Sequence, residues 1–313
     1  MFKSGSEERH PLGSLLILFL LFLGCAIVFS ILALVISIAV YGVDSITQGS
    51  INGAFSLEIL RIIQIFSSFG MFVVASIIFA KTESNNWLGF LSFKKVNPLL
   101  LVLTIAIMFS MSPLMEFINE TNKNMVLPEA LKEIEAWMRL KEAEMTQMTK
   151  QFLVMDSFNL LLVNMLMLAI IPAIGEELIF RACLQKVLGR WTGNYHLAIW
   201  LSAIIFSSIH FQFYGFFPRM FLGALFGYLL VWSGSIWLPI LAHFLNNAMA
   251  TVSAYVLQLE GKSIDQAFEP DPVNVPVLIA STVAFVGLIW YFHNYTVKIN
   301  ENKIELSDGS RLG

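Results

Sequence analysis

Charge is what this sequence has least of: only 13% of its 313 residues are Asp, Glu, Lys or Arg, roughly half the share found in soluble domains. Hydrophobic residues make up 57% and the mean hydropathy is +0.73, so a water-soluble globule is excluded and a polytopic, all-α transmembrane helix bundle is expected. No basic stripe exists to release counterions from phosphates, and the net charge is −3, which excludes a nucleic-acid partner. Cysteine is also scarce. Cys25 and Cys183 both fall in or beside apolar segments and read as two buried thiols, not as a disulfide. No period of 20 to 50 residues repeats, and no inverted duplication relates the halves, which removes a signature that many transporters carry.

What is present is a series of apolar runs. A helix needs about 20 apolar residues to cross a bilayer, and eight segments qualify as candidates: Leu12 to Tyr41, Ile62 to Ala80, Pro98 to Met115, Phe152 to Pro172, His196 to Phe213, Phe216 to Trp232, Ile236 to Leu257 and Val273 to Phe292. The first is too long for a signal peptide and lacks a small-residue cleavage site, so it is expected to be retained. An even count places both termini on one side. With a cytoplasmic N-terminus, Lys3, Arg9, Lys81, Lys94, Lys95, Arg181, Lys186, Arg190, Lys298, Lys303 and Arg311 fall inside, the majority of the nineteen basic residues. Residues 1–115 are expected to be scaffold spans, 152–257 a functional core, and 258–313 the last span and a cytoplasmic tail.

The intervening segment, residues 116–151, has a different pattern. Beyond Pro128, apolar residues Leu131, Ile134, Met138, Met145 and Met148 recur at three- and four-residue steps, interrupted at Lys141, which describes an amphipathic helix. Glu135 stands four residues before Arg139, a pairing that supports a helix by about 0.2–0.5 kcal/mol. Such a helix can lie on the membrane surface, cap a cavity or pair with a second copy of the chain, and a structural surface helix is the expectation.

Against this apolar background, three polar clusters stand out: Glu176-Glu177-x-x-x-Arg181, Phe206-x-x-x-His210 and His243-x-x-x-Asn247. An ionised side chain at the bilayer centre costs roughly 2.5–3.5 kcal/mol on insertion scales, so these groups must face each other or a wet cavity. Consecutive helical residues project about 100° apart, so the two glutamates are expected to serve different partners. Glu177 precedes Arg181 by one turn in the favourable order and is expected to pair with it. Glu176 is left as the carboxylate free to face a cavity, where it can serve as a general base. Taken singly, the glutamates and arginine could mark a helix end, His210 a core histidine, and His243 with Asn247 interhelical glue. Together they supply a base, an orienter and oxyanion donors, the parts that peptide-bond hydrolysis needs.

The three motifs, in this order on successive hydrophobic segments, resemble the CPBP family of CAAX proteases and bacteriocin-processing enzymes, also called the Abi family. The resemblance covers roughly Ile171 to Val252. It implies an intramembrane endopeptidase in which Glu176 and His210 activate a water, His243 and Asn247 hold the oxyanion, and Glu177 and Arg181 brace the site. Eukaryotic members trim prenylated CAAX proteins, and bacterial members are linked to peptide maturation or bacteriocin immunity. The resemblance favours a metal-free route, with no cofactor. A zinc ion held by Glu176, His210 and His243 is the alternative, since two histidines and a carboxylate form a catalytic zinc set.

Neither His-Glu-x-x-His nor Gly-x-Gly-Asp occurs, so the familiar helical zinc site and the intramembrane aspartyl site are both missing. The expected partners are a membrane-presented peptide or protein substrate, the lipid bilayer and a second copy in a homodimer. The expected location is a prokaryotic inner membrane. A proton-coupled transporter, and a non-catalytic immunity or scaffold protein, are the alternatives from other functional classes.

Overall fold

The computed structural model describes residues 9–52, 55–268 and 274–309. Among these, nine principal helices account for the architecture: α1 (Pro11–Tyr41), α2 (Leu57–Glu83), α3 (Pro98–Lys123), α4 (Lys132–Leu153), α5 (Phe158–Thr192), α6 (Tyr195–Ser208), α7 (Phe216–Ser233), α8 (Trp237–Leu259) and α9 (Val275–Gly309). Lys3 and Arg311, counted in the topology argument, lie outside the described residues.

Helix boundaries follow local chemistry. Ser56, Asn97, Ser157 and Asn194 each accept a hydrogen bond from a backbone N–H of the first turn of α2, α3, α5 and α6, satisfying donors that a helix start leaves open. At the other end, α5 and α7 stop at Gly193 and Gly234, with φ of 64° and 68°, a left-handed conformation that glycine adopts without steric cost.

Among the described residues, seven helical runs are long and apolar enough to cross a membrane, not eight. The expected fifth span, His196 to Phe213, is the 14-residue helix α6, which ends at Ser208. Phe211 then takes a positive φ of 51°, which no helix can continue through, so an apolar run of adequate length is broken by its backbone. The even count behind the shared side of the two termini therefore depends on that short helix. The fourth span differs too: helical structure does not stop near Pro172 but runs on to Thr192, so Glu176 lies near the middle of α5.

The interior divides around the site. One cluster joins α1, α2 and α5 through Leu18, Phe72, Phe79, Leu178 and Val187, and includes buried Cys183. A second joins α3, α7, α8 and α9 through Ile107, Met111, Phe226, Leu238 and Phe292. Both cysteines are free, Cys25 being only half-buried. Only 6% of the most apolar stretch of α1, and of α9, is buried within the protein, so lipid must solvate most of both helices.

Helix α4 keeps the expected Glu135–Arg139 pair, at 2.6 Å, but its apolar stripe splits. Leu131, Ile134 and Leu140 are exposed, whereas Met145, Phe152, Leu153 and the still exposed Met148 line a cavity. Of the arrangements open to it from sequence, its C-terminal half adopts the cavity-capping one. Glu135 also accepts from the backbone N–H of Leu127 at 2.9 Å, and Lys150 pairs with Asp265 at 2.7 Å, which ties down both ends.

Candidate active site

Three helical segments widened to π geometry occur in the bundle: Phe69–Val74 in α2, and Met165–Ile170 and Glu177–Leu184 in α5. Such segments loosen the regular ladder and are frequent at functional sites. Here two of them flank Pro172 and Glu176, the second beginning at Glu177 itself. The third packs against α5 beside the two glutamates, where a Cβ on Gly175 would lie 2.5 Å from the Cβ of Phe72. Only a glycine permits the two helices to approach this closely.

Pro172 has no N–H to return to the carbonyl of Leu168, four residues earlier. Asn247 of α8 fills that vacancy: its Nδ2 donates to the Leu168 oxygen at 3.0 Å. The Asn247 Oδ1 accepts from Asn246 Nδ2 at 3.1 Å, leaving one amide N–H of Asn247 for the cavity that it lines.

Glu177 and Arg181 form the expected ion pair, with Arg181 Nε 3.1 Å from Glu177 Oε2, both side chains being almost wholly buried. Among the described residues, the terminal nitrogens of Arg181 find no hydrogen-bond acceptor. The guanidinium lies instead among the rings of Phe206, Phe226 and Phe180, at 4.4, 5.6 and 5.8 Å from their centroids. Phe206 thus covers the buried cation, a physical reason for an aromatic residue at that position. Room for the guanidinium comes from α7, where a Cβ on Gly223 would stand 3.0 Å from Arg181 Nη2.

The expectation that the two glutamates serve different partners is overturned. His243 Nδ1 lies 2.8 Å from Glu177 Oε1 and its Nε2 lies 3.8 Å from Glu176 Oε2. The two nitrogens sit on opposite edges of one ring, and the π-widened turn beginning at Glu177 changes the angle between neighbouring side chains. One imidazole therefore reaches both carboxylates. An ionised carboxylate only accepts, so Nδ1–H is the donor toward Glu177, and Nε2 is directed toward Glu176. The ring also stacks on Phe226, with centroids 5.4 Å apart and planes at 24°.

His210 is not mid-helix as expected but in the turn after α6. Its Nδ1 donates to the carbonyl of Phe206 at 2.8 Å, satisfying a helix-end acceptor. In the neutral ring that bond leaves the lone pair on Nε2. The positive φ of Phe211 follows immediately, a strained backbone of the kind stored at functional sites.

Glu176, His210, His243 and Asn247 all line one cavity of about 620 Å³, within the range of small-ligand pockets, whereas Glu177 and Arg181 stand behind it. Arg219, on α7, lines the same cavity and was not singled out from sequence. An arginine four residues into an apolar run, just after Pro218, was the available signal. Among the described residues no three His, Cys, Asp or Glu side chains are grouped closely enough to hold a metal ion, and Glu176, His210 and His243 meet as lining of the same cavity.

Residues 158–249 match a family model described as type II CAAX prenyl endopeptidase, Rce1-like. The chain is also 27% identical over 90 residues to the uncharacterized protein YpbD of Bacillus subtilis (strain 168). That alignment covers 28% of this chain and 43% of YpbD, so the similarity spans less than half the length of that relative. No solved structure matches the chain. The matched region contains all three polar motifs, and it is this segment, residues 158 to 249, whose sequence matches the Rce1-like model of CAAX prenyl endopeptidases.

Proposed function

We propose that the protein is an intramembrane endopeptidase that hydrolyses a peptide bond of a membrane-presented substrate with water activated at Glu176. The observation that carries this reading is the alignment of Glu177, His243 and Glu176. A buried carboxylate orients the imidazole from behind, and Nε2 faces the second carboxylate, 3.8 Å away, at the wall of the cavity. The match of residues 158–249 to the Rce1-like family model supports a protease of the CAAX type.

In the proposed reaction a water is held beside Glu176 and His210. The Glu176 carboxylate takes a proton from it as the oxygen attacks the substrate carbonyl. The carbonyl oxygen gains the negative charge and is met by His243 Nε2, acting as a donor, and by the free amide N–H of Asn247. Collapse of the tetrahedral species breaks the C–N bond, and Glu176 returns its proton to the leaving amine. The products are a new carboxylate and a new amine. Glu177 and Arg181 hold the geometry without touching substrate.

The proposed setting is a prokaryotic inner membrane with both termini cytoplasmic, as the Lys and Arg distribution suggests, α6 completing an even number of traverses. Reporter fusions at the two ends check this. A homodimer through the exposed face of α4 is part of the proposal and is checked by the mass of the detergent-solubilised particle.

The decisive experiment is single-turnover cleavage of a lipid-anchored peptide by purified protein, with and without a strong chelator. Glu176→Gln is expected to lower the cleavage rate at least about a hundredfold, as loss of a general base does, while the protein stays folded. Undiminished cleavage by this variant would overturn the reading. So would uptake driven by a pH gradient into proteoliposomes in the absence of any peptide product, and loss of activity in chelator would require a metal-assisted route.

A further inference from the structure

Arg219 is a cation in a place where cations are costly, and its partners do not neutralise it. The side chain stands in the first turns of α7 and lines the cavity together with Glu176 and His243. Its hydrogen bonds among the described residues go to a single neutral residue: Nη2 donates to Gln212 Oε1 at 2.7 Å, and Nη1 reaches the Gln212 carbonyl at 3.5 Å. The adjacent Gly215 leaves room for the guanidinium, since a Cβ there would lie 3.3 Å from Nη2.

The other arginines in contact with carboxylates show what is missing. Arg9 is 3.1 Å from Glu83, Arg139 is 2.6 Å from Glu135, Arg190 is 2.7 Å from Glu83, and Arg181 is 3.1 Å from Glu177. Among the described residues Arg219 forms no such pair. Glu142 and Glu176 are the carboxylates whose charges it feels, and both are engaged elsewhere. Glu142 accepts from the backbone N–H of Tyr214 at 3.0 Å, and Glu176 faces His243.

A guanidinium has five N–H donors, so the bonds to Gln212 leave several free to meet a planar anion in the cavity. A peptide carries one such anion at its C-terminus and others on Asp and Glu side chains. We infer that Arg219 is the recognition point for a carboxylate of the peptide substrate, in a subsite of the same cavity in which Glu176 and His243 meet the scissile bond. This inference rests on the proteolytic reading for its substrate class, but the subsite can be tested through binding alone. Arg219 is a specificity residue here and takes no part in bond breaking.

The test uses one lipid-anchored peptide of alanines and leucines in three forms: with a free C-terminal carboxylate, with a C-terminal amide, and with the amide plus one glutamate near the end. Binding of each is measured to the Glu176→Gln protein, and kcat and KM are measured with the wild type. One of the two anionic peptides is expected to bind about ten- to a hundredfold more tightly than the plain amide, as a charge-assisted pair provides. Which one holds the advantage identifies the source of the carboxylate.

Arg219→Gln in the same background should erase the difference, and Arg219→Lys, which keeps the charge but loses the fork, should keep part of it. In the otherwise wild-type enzyme Arg219→Gln should raise KM for the anionic peptide and leave kcat largely unchanged. Equal binding of all three peptides by the parent would overturn the inference. Equal weakening of all three by Arg219→Gln would also overturn it, because it would show that the side chain merely holds the Gln212 turn. If Arg219→Gln fails to fold, the Arg219→Lys ratio decides: an unchanged preference there overturns the inference and a reduced one supports it. A carboxylate preference without any hydrolysis sinks the protease reading and leaves the subsite standing; hydrolysis without preference does the reverse.

Discussion

Glu177 accepts a hydrogen bond from His243 Nδ1 at 2.8 Å while its other oxygen lies 3.1 Å from Arg181 Nε, so one buried carboxylate both neutralises the cation and aims the imidazole. These two tasks can be separated. Glu177→Leu strands a buried guanidinium and is expected to destabilise the protein by about 3–5 kcal/mol. Glu177→Leu combined with Arg181→Met removes the stranded charge and should recover most of that loss in thermal unfolding. Activity should stay lost in the double variant, because His243 no longer has its orienting acceptor. Recovery of both would show that the orientation is dispensable.

Asn247 offers a second separation. Asn247→Ala leaves the Leu168 carbonyl without its donor and should cost about 1–3 kcal/mol, the penalty for an unsatisfied buried group. Pro172→Ala restores a backbone N–H on the helix itself. In that background the stability cost of Asn247→Ala is expected to shrink, whereas cleavage stays impaired if the second amide N–H serves the reaction. A double-mutant cycle on unfolding and on kcat measures both.

Close approach at Gly175 gives a purely steric prediction. The Cβ of Gly175→Ala would fall 2.5 Å from Phe72 Cβ, and a Cβ near the backbone cannot swing away as a flexible tip can. The expected result is about 1–3 kcal/mol of destabilisation from overpacking, with Glu176 displaced alongside. A lowered Tm together with reduced cleavage checks it.

Outside the membrane-spanning helices, Glu135 supplies a pH dependence. The N–H of Leu127, and next the guanidinium of Arg139, hold its carboxyl below the ordinary carboxylate range. A depressed folded value means that the stabilisation is present above the unfolded value and disappears as pH falls through the folded one. The protection factor of the Leu127 amide, its exchange rate relative to the intrinsic rate at the same pH, is therefore expected to fall at acid pH, and Glu135→Gln should flatten that response.

Much of this was legible in the sequence, for reasons that can be named. Scarcity of charge forces any ionisable residue in an apolar run to find a partner, so Glu176, Glu177, Arg181 and His243 announced themselves, and the one-turn spacing of Glu177 and Arg181 gave their pairing. Helix α6 was misread because an apolar run reports composition, whereas its end is set by the backbone at Phe211. The shared imidazole was missed because a π-widened turn has no reliable sequence signature, although Pro172 hinted at a broken ladder. Arg219 was not singled out although it stands inside the expected Phe216 to Trp232 span, because it belongs to none of the three polar motifs. The cavity-facing role of Met145 and Met148 depends on how α4 folds back, which periodicity alone does not fix.

The brevity of α6 has a consequence for the surrounding lipid. Its 14 residues rise only about 21 Å, well short of the roughly 30 Å of hydrocarbon in an ordinary bilayer. A helix this short is matched by local thinning of the bilayer, which would set the headgroup layer closer to His210 than to the ends of the longer helices. Under the proposed function, that thinning would shorten the distance from bulk water to the cavity that His210 lines.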